Sequence, residues 1–303
     1  MVKVLKTYDY TKCELPEKLF QIKIPQKKID EKLKTAAEHF LTIEEVNDKI
    51  KKGDIVAIRI VSDDVLLASE CERLSVGKGY FSEAIESALI GKKKDDEFTV
   101  DNNGEKSEIK VLWVRRRIVP VLTDKMVKAL DIEDVTTVDE YKDYVTDGLV
   151  EEDKEKKNNA IWLMVSKKML AESEFVVDEK EIDTQYKHDI AYLQSELEGD
   201  FEEFMQVKYH GKTLEESKKN FRKEIEKTLK LCALAEPLVK EDGVEWTREE
   251  YDAVIDDMVN GEYSKEELTE SMSYEDYVKQ QTENYLEGKV LSAFDSRFTV
   301  TIV

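Results

Sequence analysis

The sequence predicts an α+β fold: a small antiparallel sheet with a short helix, followed by a large all-α part made of long helices. Three observations lead there. Residues 54–114 hold β-branched runs punctuated by Gly and Asn-Gly, while from residue 123 onward apolar residues recur at helical spacing. The charge also divides at that boundary. Of 303 residues, 47 are basic and 68 acidic, a formal net charge of −21. Residues 1–118 hold 23 basic and 22 acidic side chains, whereas residues 119–303 hold 24 and 46. Two such surfaces suggest two structural units, and the acidic half repels phosphate, so nucleic acid is not expected as a partner.

At the start of the chain, residues 17–24 alternate as a half-buried strand does, and Pro25 opens a helix over Gln26–Phe40 with Ile29, Leu33 and Ala37 on one face. Residues 1–50 therefore read as an N-terminal strand and linker helix, an arm or linker rather than a domain. The next unit, 51–118, has strands at 54–61, 97–100 and 108–114, the last two joined through a turn at Asn102-Asn103-Gly104. Between the first two strands, Gly77-Lys78-Gly79 precedes a short helix bearing Phe81, Ile85 and Leu89, stopped by Gly91.

From Pro120 the pattern turns helical. A repeated start signal, a Ser, Thr or Asp followed three residues later by an acid, occurs at Thr137/Glu140, Asp178/Glu181, Asp200/Glu203, Thr213/Glu216, Thr247/Glu250, Ser264/Glu267 and Ser273/Asp276. The helices it predicts cover 123–130, 137–172, 178–198, 200–208, 213–235, 247–258 and 273–293, with a terminal strand over 298–303. At 1.5 Å per residue the second is about 54 Å long, which suits antiparallel arms better than a ball.

Enzymatic signals are sparse. Cys13, Cys71 and Cys232 are far apart and form no CxxC, so neither a disulfide framework nor a metal centre is expected. His39, His188 and His210 stand singly. No Walker loop, GxSxG or HExxH occurs, so no cofactor or nucleotide is expected. The basic runs Lys92–Lys94 and Arg115–Arg117 read as solvated charge. No apolar run approaches the ~20 residues of a membrane span, and the first residues hold no signal-peptide core. The cytoplasm is the expected compartment, with export the alternative if a signal peptide has been removed.

The middle unit carries a resemblance. Gly53-Asp54-Ile55-Val56, then Gly77-x-Gly79, Ile85-Glu86 and Gly91, then Glu97-Phe98-Thr99, resembles the FKBP-type prolyl isomerase domain of trigger factors. Pro120-Val-Leu-Thr123-Asp124 is similar to the segment that follows that domain in the family, and Phe175-Val-Val-Asp178 to its later helix restart. The collinear match runs over residues ~15–303. The family's ribosome-docking loop has no counterpart in residues 1–50, so ribosome tethering is not expected.

By this resemblance the family's isomerase pocket falls at Ile60, Glu72, Phe81, Ile85 and Ser107, and its flap shrinks to Asp101–Lys106. FKBP-type catalysis desolvates the prolyl amide in an aromatic pocket to lower a ~20 kcal/mol rotation barrier. Aliphatic, acidic and hydroxyl side chains in its place imply weak or absent isomerase activity. The resemblance further implies a chaperone that binds unfolded or nascent polypeptides in a helical cradle. The alternatives are an active isomerase or an assembly protein clamping one folded partner. Six of seven Met follow residue 125, and flexible thioethers suit varied partners. Met164, Met169, Phe201, Phe204, Met205 and Met258 are the client-binding candidates, against the plainer reading that such stripes fill helix–helix cores.

Overall fold

The computed structural model describes residues 2–62, 68–102, 104–259 and 264–303. In chain order the elements are β1 (Lys3–Lys6), β2 (Gln21–Ile24), α1 (Gln26–Glu38), β3 (Thr42–Glu45), β4 (Ile55–Ser62) and β5 (Ser69–Ser75). There follow α2 (Glu83–Leu89), β6 (Glu97–Asn102), β7 (Glu105–Ile118), α3 (Asp124–Lys128), α4 (Val138–Glu172), β8 (Glu174–Val176) and α5 (Glu179–Leu197). The chain ends with α6 (Phe201–Lys208), α7 (Leu214–Glu241), α8 (Arg248–Met258), α9 (Lys265–Ser271), α10 (Tyr274–Phe294) and β9 (Thr299–Ile302). The fold is α+β. Its contacts divide into a helical unit, Met1–Lys23 with Val150–Thr301, and a sheet unit, Ile24–Leu149 with Ile302–Val303.

The sheet unit holds five strands in the order β3-β7-β4-β5, with β6 also on β7. All the pairings are antiparallel. Alternation sends Val56, Ile58 and Ile60 of β4 and Ile109, Val111 and Val114 of β7 inward, where Ile85 and Leu89 of α2 meet them. The three predicted strands are present, and two are longer than predicted. β3 and β5 escaped the pattern reading because their sequences, TIEE and SECERLS, are polar. Both lie at the sheet's edge, where charge guards against further pairing. β6 and β7 form a tight hairpin in which Asn102 faces Glu105. Asn103 of the predicted turn lies outside the described residues.

Two polar clamps hold the loops of this unit. Arg116 donates from Nε to Asp54 Oδ1 and from an η-nitrogen to Oδ2, both at 2.8 Å, and reaches Asp48 at 3.0 Å and the Lys49 carbonyl at 2.9 Å. Burial pushes the Asp54 carboxyl up, but Arg116 and the Lys51 amide outweigh it and hold it below the usual range. The Arg116 hydrogen bond brings Asp48 down to about 2. The Arg115–Arg117 run is thus not merely solvated charge, because strand alternation turns its middle member onto a buried acid. Glu86 of α2 is the second clamp. Its oxygens accept the Gly77 amide at 2.6 Å and the Phe81 amide at 3.1 Å. Burial would raise its carboxyl, and the amides of Phe81, Gly79 and Gly77 lower it further than burial lifts it. The Gly77 turn, at φ +84°, is therefore an anion nest filled by the chain's own carboxylate.

In the helical unit, α4 runs 35 residues, within a residue of its predicted start. Its Ile161, Val165 and Met169 meet Leu231, Leu234 and Ala235 of α7 and Leu286, Val290 and Phe294 of α10 in the main core. Phe20 closes one end, with Phe298 at 5.5 Å and the Arg297 guanidinium 3.8 Å from its ring centre. A second core joins Ile182 of α5 and Met205 of α6 to Phe221 and Ile225 of α7. A third gathers Tyr251 and Ile255 of α8, Leu268 of α9 and Tyr277 of α10.

Full capping boxes form at Thr247/Glu250 and Ser264/Glu267. At Thr137 the Glu140 amide donates to the hydroxyl and the Glu140 carboxylate accepts the Thr137 amide. Asp200 caps nothing, because a 3-10 turn over Glu198–Asp200 runs straight into α6 and leaves the residue in helical backbone. The α9 cap was legible but its helix was missed, being one short stretch of seven residues. α7 continues through exposed Pro237 to Glu241, past its predicted end at 235, although Pro237 has no N–H to give the Ala233 carbonyl one turn earlier.

Replacing Arg116 by Leu leaves Asp54 buried and unpaired, and is expected to lower sheet-unit stability by about 3 kcal/mol in urea titrations. Asp54 and Glu86 have depressed folded values, so their contribution is complete above the unfolded carboxylate range near pH 4 and lost as pH falls below it. A urea midpoint that holds steady on acidification, or an unaffected variant, contradicts both clamps.

Candidate functional site

The residues predicted for client binding separate by position. Met169 of α4 and Met205 of α6 lie inside the two larger cores at 1% and 0% exposure, and Phe201 is buried beside Met205. Phe204 is half-buried at the edge of the same core, with the Lys208 ammonium 5.2 Å from its ring centre. Met164 and Met258 remain exposed, at 41% and 47%. Each has apolar company on its own helix: Leu163 beside Met164, and Val254 one turn before Met258. Among the described residues these are exposed apolar helix faces.

Between α5, α7 and α10 the helical unit forms an open groove of about 360 Å³. Its floor is the four-residue stripe Phe221, Ile225 and Leu229 of α7, each under a tenth exposed. Its rim is acidic, with Asp189, Glu224, Asp276 and Glu283. One cation crosses the rim. Lys279 of α10 donates to Gln185 Oε1 of α5 at 2.7 Å and lies 3.4 Å from Asp276, while Gln185 donates to Asp189 at 2.8 Å. Burial raises the Glu283 carboxyl, and Glu287 and Glu224 add to this against the lowering effect of Lys227. The groove can therefore take up an apolar segment on its floor while its rim keeps that segment wetted and charged at the edges. Sequence reading had the α7 stripe within reach at i, i+4 spacing. The Lys279–Gln185 bridge joins residues 94 apart and had no sequence signal.

Cys232 lies beneath α10, with its thiol donating to the Lys279 carbonyl at 3.4 Å; burial pushes it up to about 12, so it stays an inert thiol. The turn before α7 is held by close packing. A Cβ on Gly211 would meet the Ser217 backbone nitrogen at 2.4 Å.

In the sheet unit, Ile60 and Ile85 are packed in the core, Ser107 is buried, Phe81 is half-buried against that core, and Glu72 is exposed. The structure therefore gathers Ile60, Ile85 and Phe81, but as packing. The cleft of about 390 Å³ on this sheet opens elsewhere, between Arg59, Glu97, Glu108 and Lys110. Among the described residues half its lining is charged and Phe98 is its single aromatic, so it does not ring a prolyl side chain with aromatics. Among the described residues no helix is long and apolar enough to cross a membrane.

With this geometry in place, comparisons with known proteins agree on one family. A family model described as the bacterial trigger factor protein (TF) C-terminus matches residues 137–294. The trigger factor of Moorella thermoacetica is 24% identical over 271 residues, covering 82% of this chain and 59% of its own length. That of Halothermothrix orenii is 24% identical over 274 residues, covering 82% and 62%. That of Caldicellulosiruptor bescii is 23% identical over 301 residues, covering 91% and 66%. The chain thus spans about three fifths of the first two relatives' length. A solved structure described as "Promiscuous Substrate Recognition in Folding and Assembly Activities of the Trigger Factor Chaperone" aligns with a TM-score of 0.46 at 17% identity, over 98% of this chain and 73% of that one.

Because the raised Glu283 carboxyl is a burial penalty, Glu283→Gln is expected to raise the urea midpoint of the helical unit at neutral pH. The sign follows from a folded value above the unfolded one. The ionised form is penalised at high pH, and the gain fades as pH falls through the folded value toward about 4. A variant less stable than the parent at pH 7 contradicts this account of the rim.

Proposed function

The chain belongs to the family of the bacterial trigger factor C-terminus, and from that premise we propose that it is a trigger-factor-like chaperone. It binds unfolded or nascent polypeptide on its helical unit without nucleotide. The observation that carries this reading is the open groove between α5, α7 and α10, which reaches down to the edges of the otherwise buried Phe221, Ile225 and Leu229. Exposed Met164 and Met258 add adaptable apolar surface. Both fit clients of varied sequence, since apolar contact is non-directional. The acidity of residues 119–303 keeps that surface soluble. Of the residues read from sequence, Met164, Phe204 and Met258 are the ones a client can reach in this conformation.

The working division of the chain is 1–50 as strand and linker helix, 51–118 as a degenerate FKBP-like domain and 119–303 as the chaperone part. Burial of Ile60 and Ile85 and the tight β6–β7 hairpin support a worn-down isomerase site. The proposed compartment is the cytoplasm.

Suppression of client aggregation, followed by light scattering, tests the chaperone reading. Wild-type protein is expected to suppress scattering near stoichiometry. The double variant Met164→Glu with Met258→Glu should need roughly fivefold more protein, the equivalent of about 1 kcal/mol of lost apolar contact. Absence of suppression by the wild type overturns the reading, and an unaffected variant removes those two residues from it. In a protease-coupled prolyl isomerase assay the turnover should stay near background, and a rate comparable with an FKBP contradicts the degenerate site.

A further inference from the structure

The sheet face opposite α2 carries an arrangement that the chaperone reading leaves unused. Strand register sets Arg73 of β5, Ala57 of β4 and Trp113 of β7 in one row. Two guanidiniums lie against the indole, with Arg115 at 4.5 Å and Arg73 at 5.8 Å from the ring centre. Arg117 follows on the same face, opposite Ile43 of β3. Four of the chain's eight arginines, Arg59, Arg73, Arg115 and Arg117, share this face, although lysine is far the commoner cation in the sequence.

The charges on this face are unevenly satisfied. Arg59 pairs with Glu70 at 2.9 Å and Lys110 with Glu97 at 2.7 Å. Glu45, which faces Arg115 across the β3–β7 ladder, instead gives its carboxylate to Lys94 at 2.7 Å. Among the described residues, Arg73, Arg115 and Arg117 form no salt bridge, although Arg115 adds to the pull of Lys94 that holds the Glu45 carboxyl low, and all three are exposed. In a chain with a net charge of −21, three guanidiniums on one face that form no salt bridge among the described residues make a local cationic site.

We propose that this face docks an extended acidic polypeptide segment, whose carboxylates are taken by Arg73, Arg115 and Arg117. A guanidinium resting on an indole is already ordered and weakly hydrated, and its N–H edge presents a fork matched to a carboxylate. Arg115 and Arg117 are two residues apart on one strand, about 6.8 Å, the spacing at which alternate side chains of an extended partner project. Ile43 and Val61, exposed on the same face, suit apolar residues among those acids. Charge alone would also admit nucleic acid. The indole that could stack a base is already engaged by two guanidiniums, and the same face carries Glu70 on Arg59, Glu97 on Lys110 and Glu108 in the cleft further along the strands. The acidic peptide is thus the better fit.

Fluorescence anisotropy with the full chain tests this, using a labelled peptide of alternating glutamate and valine, a lysine–valine counterpart and a mixed-sequence single-stranded RNA. The acidic peptide is expected to bind, the more weakly as salt rises. Arg115→Gln and Arg117→Gln should each weaken it roughly tenfold or more, the scale of a lost charge-assisted hydrogen bond. Arg115→Lys keeps the charge but loses the fork, so it should recover only part of the affinity. All of these side chains are exposed, so an unchanged urea midpoint verifies that the variants fold. Equal binding of the acidic peptide to wild type and to the R115Q/R117Q variant overturns the proposal. So does failure of that peptide to bind, or preference for the RNA through the same arginines.

Discussion

The two main cores of the helical unit depend on α7 serving both with two different faces. Its N-terminal half presents Phe221, Ile225 and Leu229 to α5 and α6, while its C-terminal half presents Leu231, Leu234 and Ala235 to α4 and α10. The first stripe runs on to Ala233, so near Leu231 the two stripes overlap on faces that lie about 200° apart, as Leu229 and Leu231 do at 3.6 residues per turn. A single rigid rod thereby ties α5 and α6 into the same body as α4 and α10. The changeover also leaves the Phe221–Leu229 stripe bordering an open groove beside α10. α10 divides its length in the same way, giving Tyr277 to the α8–α9 core and Leu286, Val290 and Phe294 to the main one. Open apolar surface and a firm core are thus products of one helix pair.

The sheet unit is organised by alternation instead of rotation. Three consecutive arginines on β7 fall on alternate faces. The middle one is committed to Asp54 and Asp48, while its neighbours face outward, Arg115 against Trp113 and Arg117 opposite Ile43. The same period of two explains the fate of the isomerase resemblance. Ile60 and Ile85 point into the space that a ligand pocket would need, and aliphatic side chains of that size pack it closed. Under the proposed reading of a worn-down isomerase site, glycine turns and the Glu86 clamp keep the loop path independently of the pocket.

The sequence was most legible where one element carries its own signal. The start of α4 and the caps at Thr213, Thr247, Ser264 and Ser273 follow from local side-chain chemistry, and the structure has them in place. Edge strands β1, β3 and β5 were missed because an edge needs little apolar content, and KVLK, TIEE and SECERLS show none of the usual alternation of a buried strand. The candidate site was legible by composition but not by residue. Methionine and aromatic stripes mark both cores and open faces, and only packing distinguishes buried Met169 and Met205 from exposed Met164 and Met258. The groove's polar bridge and the Arg73–Trp113 pairing depend on tertiary contacts, which no local period encodes.

The most direct measurement of the central claim is methyl NMR of the full chain, labelled at Met, Ile and Leu, with an unfolded client added. The account predicts shifts and broadening at Ile225, Leu229, Met164 and Met258, with Ile58 and Ile109 of the sheet core unmoved. Perturbation confined to the sheet unit, or an unaltered spectrum at client concentrations where aggregation is suppressed, would contradict a client surface on the helical unit.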